Sequence, residues 1–310
     1  MRLIRSANIL FLLVCGLVSA PSLAAQTTGA RNLSFADIEK LPRPAADRRI
    51  AYGDDPSQFG DLRLPRGKGP FPVVVVIHGG CWYSEYDLNH LASFSDALTR
   101  LGVATWSLEY RRVGQAGGGW PGTFEDVARG ADHLRVLARS YPLDLKRVVA
   151  VGHSAGGQLA LWLAAREGLP KESPLRSPRP LALRGVVSLA GITDMRKYGA
   201  GCGGAVGKLL GGTPQEMPLR YQQTSPAELL PSRVPQRLIH GELDKIVPVA
   251  LGRDYEATAR ARRIDARLTV LPNAGHFELV SPQSAAWPAV EDAVRSLLKL
   301  KKPKKTERRD

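Results

Sequence analysis

Residues 72–77 (Pro-Val-Val-Val-Val-Ile) and 148–151 (Val-Val-Ala-Val) are apolar at every position, with no polar face. β-Branched side chains are stiff and favour strands, and a strand without a polar face must be covered on both sides, as in a parallel sheet. Residues 183–189, 236–240 and 266–271 read as further strands. Between them the period changes. Val127, Ala131, Leu134 and Ala138 form one apolar stripe, which predicts a helix over 124–140 capped by Thr123. Residues 158–163 (Gln-Leu-Ala-Leu-Trp-Leu) are apolar almost all round and predict a buried helix. Strands alternating with helices predict an α/β domain over 48–298, with a mostly parallel central sheet flanked by helices on both faces. Residues 26–47 read as an irregular N-terminal segment, and 169–180 as a surface loop. The glycine-dense stretch 199–212 reads as too irregular for core and as a mobile rim.

The two ends change this picture. Arg2 and Arg5 precede an apolar run over residues 9–18, and Ser22-Leu23-Ala24 offers a small-residue cleavage site. Residues 1–25 are therefore expected to be a signal peptide, cleaved after Ala24 or Ala25. The apolar run is too short to span a bilayer. A periplasmic or secreted protein without an integral membrane anchor is the expectation. Residues 299–310 form a basic tail with little to bury, expected to be disordered. This tail contributes to the net charge of +14, and no aromatic platform or recognised motif accompanies it, so no nucleic-acid partner is expected. Removal of the signal leaves Cys81 and Cys202. An oxidising compartment permits a bridge between them, but sequence does not establish their proximity. No Cys/His cluster has metal-ligand spacing, so neither a metal nor a cofactor is expected.

The chemistry centres on Gly152-His153-Ser154-Ala155-Gly156, set between an apolar strand and an apolar helix. That order predicts a nucleophile elbow, with Ser154 on a tight strand-to-helix turn. A Cβ at either flanking glycine is expected to collide with a neighbouring strand or helix. A serine hydroxyl needs a base, an acid to orient the base and an oxyanion hole. Asp244 follows the strand at 236–240, and His276 follows the strand at 266–271. Ligand sites of open α/β sheets lie past the carboxyl ends of strands, where all three groups fall. Glu242 is the rival acid, but it lies nearer the strand end. Gly79, Gly80 and the Ala155 amide are the expected oxyanion donors. His78 and His153 read as orienting residues. Trp82 and Trp120 are candidates for the substrate pocket, with simple packing as the alternative.

These motifs resemble the esterase/lipase branch of the α/β-hydrolase superfamily. More narrowly, Gly60-Asp61-Leu62-Arg63-Leu64-Pro65, Glu109-Tyr110-Arg111 and Leu210-Gly211-Gly212-Thr213-Pro214 resemble bifunctional deacetylase/feruloyl-esterase (BD-FAE) modules and kynurenine formamidases. The resemblance implies an α/β-hydrolase fold and a serine hydrolase acting on small-molecule esters with small or aromatic acyl groups. Cys81 departs from the small residue that many relatives carry there. An arylformamidase-type amidase, a peptidase and a non-catalytic hydrolase-fold binding protein are the alternatives. Export weighs against the first, and the lack of a peptide-selecting domain against the second. Retention of every catalytic group weighs against the third.

Overall fold

The computed structural model of the chain describes residues 32–230 and 232–301. The expected signal at 1–25 lies outside the described residues, as does the tail expected at 299–310 apart from residues 299–301, which are ordered: the Leu300 N–H donates to the Arg295 carbonyl at 3.0 Å and its side chain packs against the core. Eight strands form one sheet: β1 (Arg48–Ala51), β2 (Phe59–Arg63), β3 (Phe71–Ile77), β4 (Ala104–Leu108), β5 (Leu143–His153), β6 (Gly185–Leu189), β7 (Gln236–Gly241) and β8 (Ala266–Leu271). Their spatial order is β1-β2-β4-β3-β5-β6-β7-β8. β3 to β8 run parallel, while β2 is antiparallel to both neighbours. Among the described residues no helix is long and apolar enough to cross a membrane.

The uninterrupted valines of β3 have a direct structural reason. Val73, Val75 and Ile77 pack with Trp106, Phe124 and Trp162 on one face. Val74 and Val76 pack with Phe94, Leu98, Val290 and Leu297 on the other. Side chains alternate across a strand, so a strand covered on both faces needs apolar residues at every position. Each of these valines is essentially unexposed, and full burial of such a side chain contributes roughly 1.5–3 kcal/mol relative to exposure.

The same layering places the site. The chain leaves β3 through a helix at Ala92–Thr99, which packs on the second face. It leaves β5 through a helix at Ala155–Ala165, which packs on the first. The two connections diverge and open a crevice at the carboxyl ends of β3 and β5, where ligands bind in doubly wound sheets.

Three local expectations are corrected. Residues 26–47 are not irregular throughout, because Phe35–Glu39 form a helix. Its start is held by the Asp37 carboxylate, which accepts from the Ser34 N–H at 2.9 Å and the Ser34 hydroxyl at 2.6 Å. The helix expected over 124–140 is two helices, Gly122–Asp132 and Leu134–Leu137. Thr123 lies inside the first rather than capping it, and its hydroxyl donates to the Arg111 carbonyl at 2.6 Å. The glycine-dense stretch forms a helix, Gly201–Leu210, that buries Ala205, Val206, Leu209 and Leu210. Cys202, Gly203 and Gly204 all take left-handed backbone near its start, and the apolar residues of the regular helix after them reach the core.

Candidate active site

Ser154 follows β5 directly, with φ 56° and ψ −120°. A serine holds that conformation only where its surroundings over-determine it. The Ser154 N–H donates to the Leu189 carbonyl at 2.8 Å, and the Ser154 carbonyl accepts from Gly157 at 2.9 Å. The flanking glycines are required sterically, as expected from the motif. A Cβ on Gly152 would lie 2.0 Å from the Gly156 oxygen, and one on Gly156 would lie 2.1 Å from the Ile77 oxygen. The hydroxyl-bearing turn therefore sits hard against the end of β3.

Past β7, Asp244 receives donors from its own turn. Its Oδ1 accepts from the Ile246 and Val247 amides at 2.8 and 2.9 Å. Its Oδ2 lies 2.7 Å from His276 Nδ1 and 3.5 Å from His240 Nε2. Burial alone would push this carboxyl up, but hydrogen bonds from His240, His276 and the Val247 amide hold it well below the ordinary carboxylate range. Asp244 is thus an anion facing an imidazole. Glu242 is exposed and pairs with Arg253 at 2.7 Å, away from His276.

His276, past β8, is oriented from both ends. Asp244 receives its Nδ1–H, and its main-chain carbonyl accepts from His153 Nε2 at 3.0 Å. The two rings lie 4.5 Å apart. Burial and the neighbouring His276 push His153 well below its ordinary value, so it is a neutral donor beneath the His276 loop. Ser154, His276 and His153 line one cavity of about 90 Å³ with Phe35, Gly80, Cys81, Tyr86, His90, Ile246 and Phe277.

Gly80 lines this cavity beyond the end of β3, and Gly79 precedes it. A Cβ on Gly79 would lie 2.7 Å from the His153 oxygen and 3.0 Å from Ser154 Cβ. Gly80 has φ +102°, and a Cβ there would meet Tyr86 at 2.3 Å. Glycine at 79 allows the close passage of this backbone by the serine, and glycine at 80 the close approach of Tyr86. Ala155 opens the helix after Ser154, so its N–H has no partner within that helix. Backbone of the Gly79–Gly80 turn and of Ala155 therefore flanks Ser154.

His78, expected to be an orienting residue, holds the Gly79 turn through a buried polar network whose Glu109 and Tyr110 members sequence reasoning missed. The Gly79 carbonyl and the Glu109 carboxylate face the His78 ring, at 2.8 Å from Nδ1 and 3.0 Å from Nε2. Burial pushes Glu109 up, yet His78, Arg112 and the Tyr110 amide outweigh it and keep the carboxyl low. The Tyr110 hydroxyl donates to the His78 carbonyl at 2.8 Å. The signal available was Glu109-Tyr110-Arg111 at the end of a strand.

Cys81 and Cys202 are joined by a disulfide that ties this turn to the helix at Gly201–Leu210. The two tryptophans take no part in the cavity. Trp82 is fully buried, and its indole N–H donates to Gln158 at 3.2 Å. Trp120 packs on Phe124 beneath the Arg220 guanidinium. Among the described residues no group of three or more His, Cys, Asp and Glu side chains is placed to hold a metal ion.

Known proteins carry related sequences. Esterase LipC of Mycobacterium tuberculosis is 26% identical over 247 residues, which are 75% of this chain and 60% of that protein. A probable isoprenylcysteine α-carbonyl methylesterase of Arabidopsis thaliana is 30% identical over 118 residues, 38% of this chain and 24% of that protein. The chain thus spans less than two thirds of either relative. In structure, a truncated carbohydrate esterase from gut microbiota superposes with a TM-score of 0.70 at 20% identity, covering 81% of this chain and 95% of that one. Esterase B of Lactobacillus rhamnosis gives 0.70 at 18% identity, covering 83% of this chain and 89% of that one. These likenesses show the α/β-hydrolase fold. The BD-FAE family model matches residues 61–258, and the chain belongs to that family.

Proposed function

We propose that this protein is an exported serine hydrolase that cleaves carboxylic esters through an acyl-enzyme. One observation carries the reading. Ser154, Asp244 and His276 hang from the carboxyl ends of β5, β7 and β8, with Asp244 on His276 Nδ1 at 2.7 Å and His276 sharing a cavity with Ser154. The esterase names of the relatives support the substrate class, and the signal-like sequence at 1–25 supports export.

The chemistry follows from where protons and charge must go. Ser154 Oγ attacks the ester carbonyl while His276 Nε2 takes its proton. Asp244 fixes the tautomer that leaves Nε2 free to accept, and stabilises the imidazolium that forms. The developing oxyanion is received by backbone N–H groups of the Gly79–Gly80 turn and Ala155. His276 returns the proton to the alcohol oxygen as the C–O bond breaks. Water then repeats the cycle on the acyl-Ser154 bond and releases the acid.

The test is hydrolysis of nitrophenyl acetate by the purified protein and by Ser154→Ala. The expected loss is about 10⁴-fold or more, the scale seen when a triad nucleophile is removed. Equal rates for the two proteins would end the proposal.

A further inference from the structure

We infer that Phe35, carried by the short N-terminal helix, is the residue that limits acyl length at this site. The inference rests on the esterase reading above. Its first support is the size of the cavity beside Ser154, about 90 Å³. An apolar cavity of about 150 Å³ holds one benzene, so a space this small takes a short aliphatic acyl group and not an aromatic one. During turnover the acyl group stays bonded to Ser154 while alcohol leaves and water enters. The confined space beside the serine therefore selects most strongly on the group that stays.

The second support is what closes the cavity. Phe35 lies edge-on to Tyr86 at 5.0 Å and to His90 at 5.5 Å, and 5.9 Å from Phe277. Tyr86 and His90 belong to the segment after β3, and Phe277 directly follows His276. Phe35 thus bridges the oxyanion side of the cavity to the base side. Among these four rings it alone comes from outside the strand-end loops.

The third support is how firmly the helix is held. Ile38 is buried with Leu91, Phe94 and Leu279. The Glu278 carboxylate accepts from the Leu33 N–H at 2.5 Å and from the Gly275 N–H at 2.9 Å. One side chain therefore fastens both the N-terminal segment and the turn that precedes His276.

The experiment measures kcat/KM for nitrophenyl acetate, butyrate and octanoate with wild type, Phe35→Ala and Phe35→Trp. A parallel series holds the acyl group as acetate and lengthens the alcohol. Wild type should prefer acetate. Phe35→Ala should raise the octanoate-to-acetate ratio at least about ten-fold, since each methylene accommodated in an apolar pocket is worth roughly ten-fold or more. Phe35→Trp should depress butyrate relative to acetate. Unchanged acyl ratios in both variants, or a shift in the alcohol series alone, would overturn the inference. Thermal unfolding of each variant separates a changed pocket from a lost fold. A wild type inactive on every ester would refute the esterase reading instead, so the two failures are distinguishable.

Discussion

The two sides of the cavity are built by different means. On the base side, Asp244 takes its donors from Ile246 and Val247 within its own turn, and His276 hangs from the neighbouring strand end. On the opposite side, Phe35, Tyr86 and His90 meet through packing between distant segments, and Cys81 is fastened to Cys202, 121 residues away. The first side is a product of strand order and short turns. The second exists only once the whole chain has folded. Substitutions on the base side should therefore change turnover of every ester alike. Those on the opposite side should change substrate preference or stability.

The largest effect tests that division. Asp244→Asn should lower kcat by about 10⁴-fold, because the base then has no anion to fix its tautomer and stabilise its imidazolium. The loss should be the same for acetate and octanoate. Glu242→Gln should leave kcat within about two-fold, since this exposed carboxylate faces Arg253. The check is a full kcat and KM determination for both variants. A large loss in Glu242→Gln with little change in Asp244→Asn would reassign the acid.

Next in size is the disulfide. Removal of a bridge that closes a long loop costs about 2–5 kcal/mol, with the chain-entropy estimate near the upper end for loops of about 100 residues. The Cys81→Ser/Cys202→Ser double variant should unfold at markedly lower urea concentration. Its rate on acetate at low temperature should stay within about ten-fold of wild type, because Gly79 and Gly80 are also held by the network around His78 and Glu109. Unchanged urea stability would show that the tie does not constrain the unfolded chain. A loss of rate as large as that of Asp244→Asn would place the turn's geometry in the bridge alone.

This division also explains what could be read from the sequence. The elbow was legible because its demands are local: Gly152 and Gly156 answer clashes with backbone a few residues away or on the adjacent strand. The valines of β3 were legible because burial on both faces leaves no other composition. Phe35 was not. Nothing near it in sequence signals an aromatic wall, and its anchor, Glu278, lies 245 residues from Leu33. The Ser34-to-Asp37 spacing does carry a helix-start signal. Trp82 misled for a related reason. A large aromatic beside an oxyanion turn looks like a pocket wall, but the left-handed backbone at Cys81 and Trp82 turns the indole into the core. Local sequence shows what a residue is next to along the chain, not which way a strained turn points it.

The smallest effect compares the two sides through their buried histidines. Burial, reinforced by neighbouring His78, lowers His90 to about 3, and His153 lies well below its ordinary value. Above about pH 6.5 both rings are neutral in the folded and unfolded chains, so they give no pH dependence. Below that the unfolded chain binds protons that the folded chain refuses, and stability falls as pH drops. Each ring contributes at most about 1.4 kcal/mol per pH unit. Asp244 acts later, because its stabilisation is present above the ordinary carboxylate value and is lost only as pH falls toward its low folded value. Urea midpoints measured between about pH 7 and about pH 5 should therefore decline in wild type. His90→Gln should remove one ring's share of the slope, on the Phe35 side, and His153→Gln the other, on the His276 side. Only the second should also lower kcat, because His153 holds the His276 carbonyl. Midpoints that stay flat over this range would mean that neither ring is held neutral. Equal kcat losses in both variants would erase the distinction between a side that turns substrate over and a side that selects it.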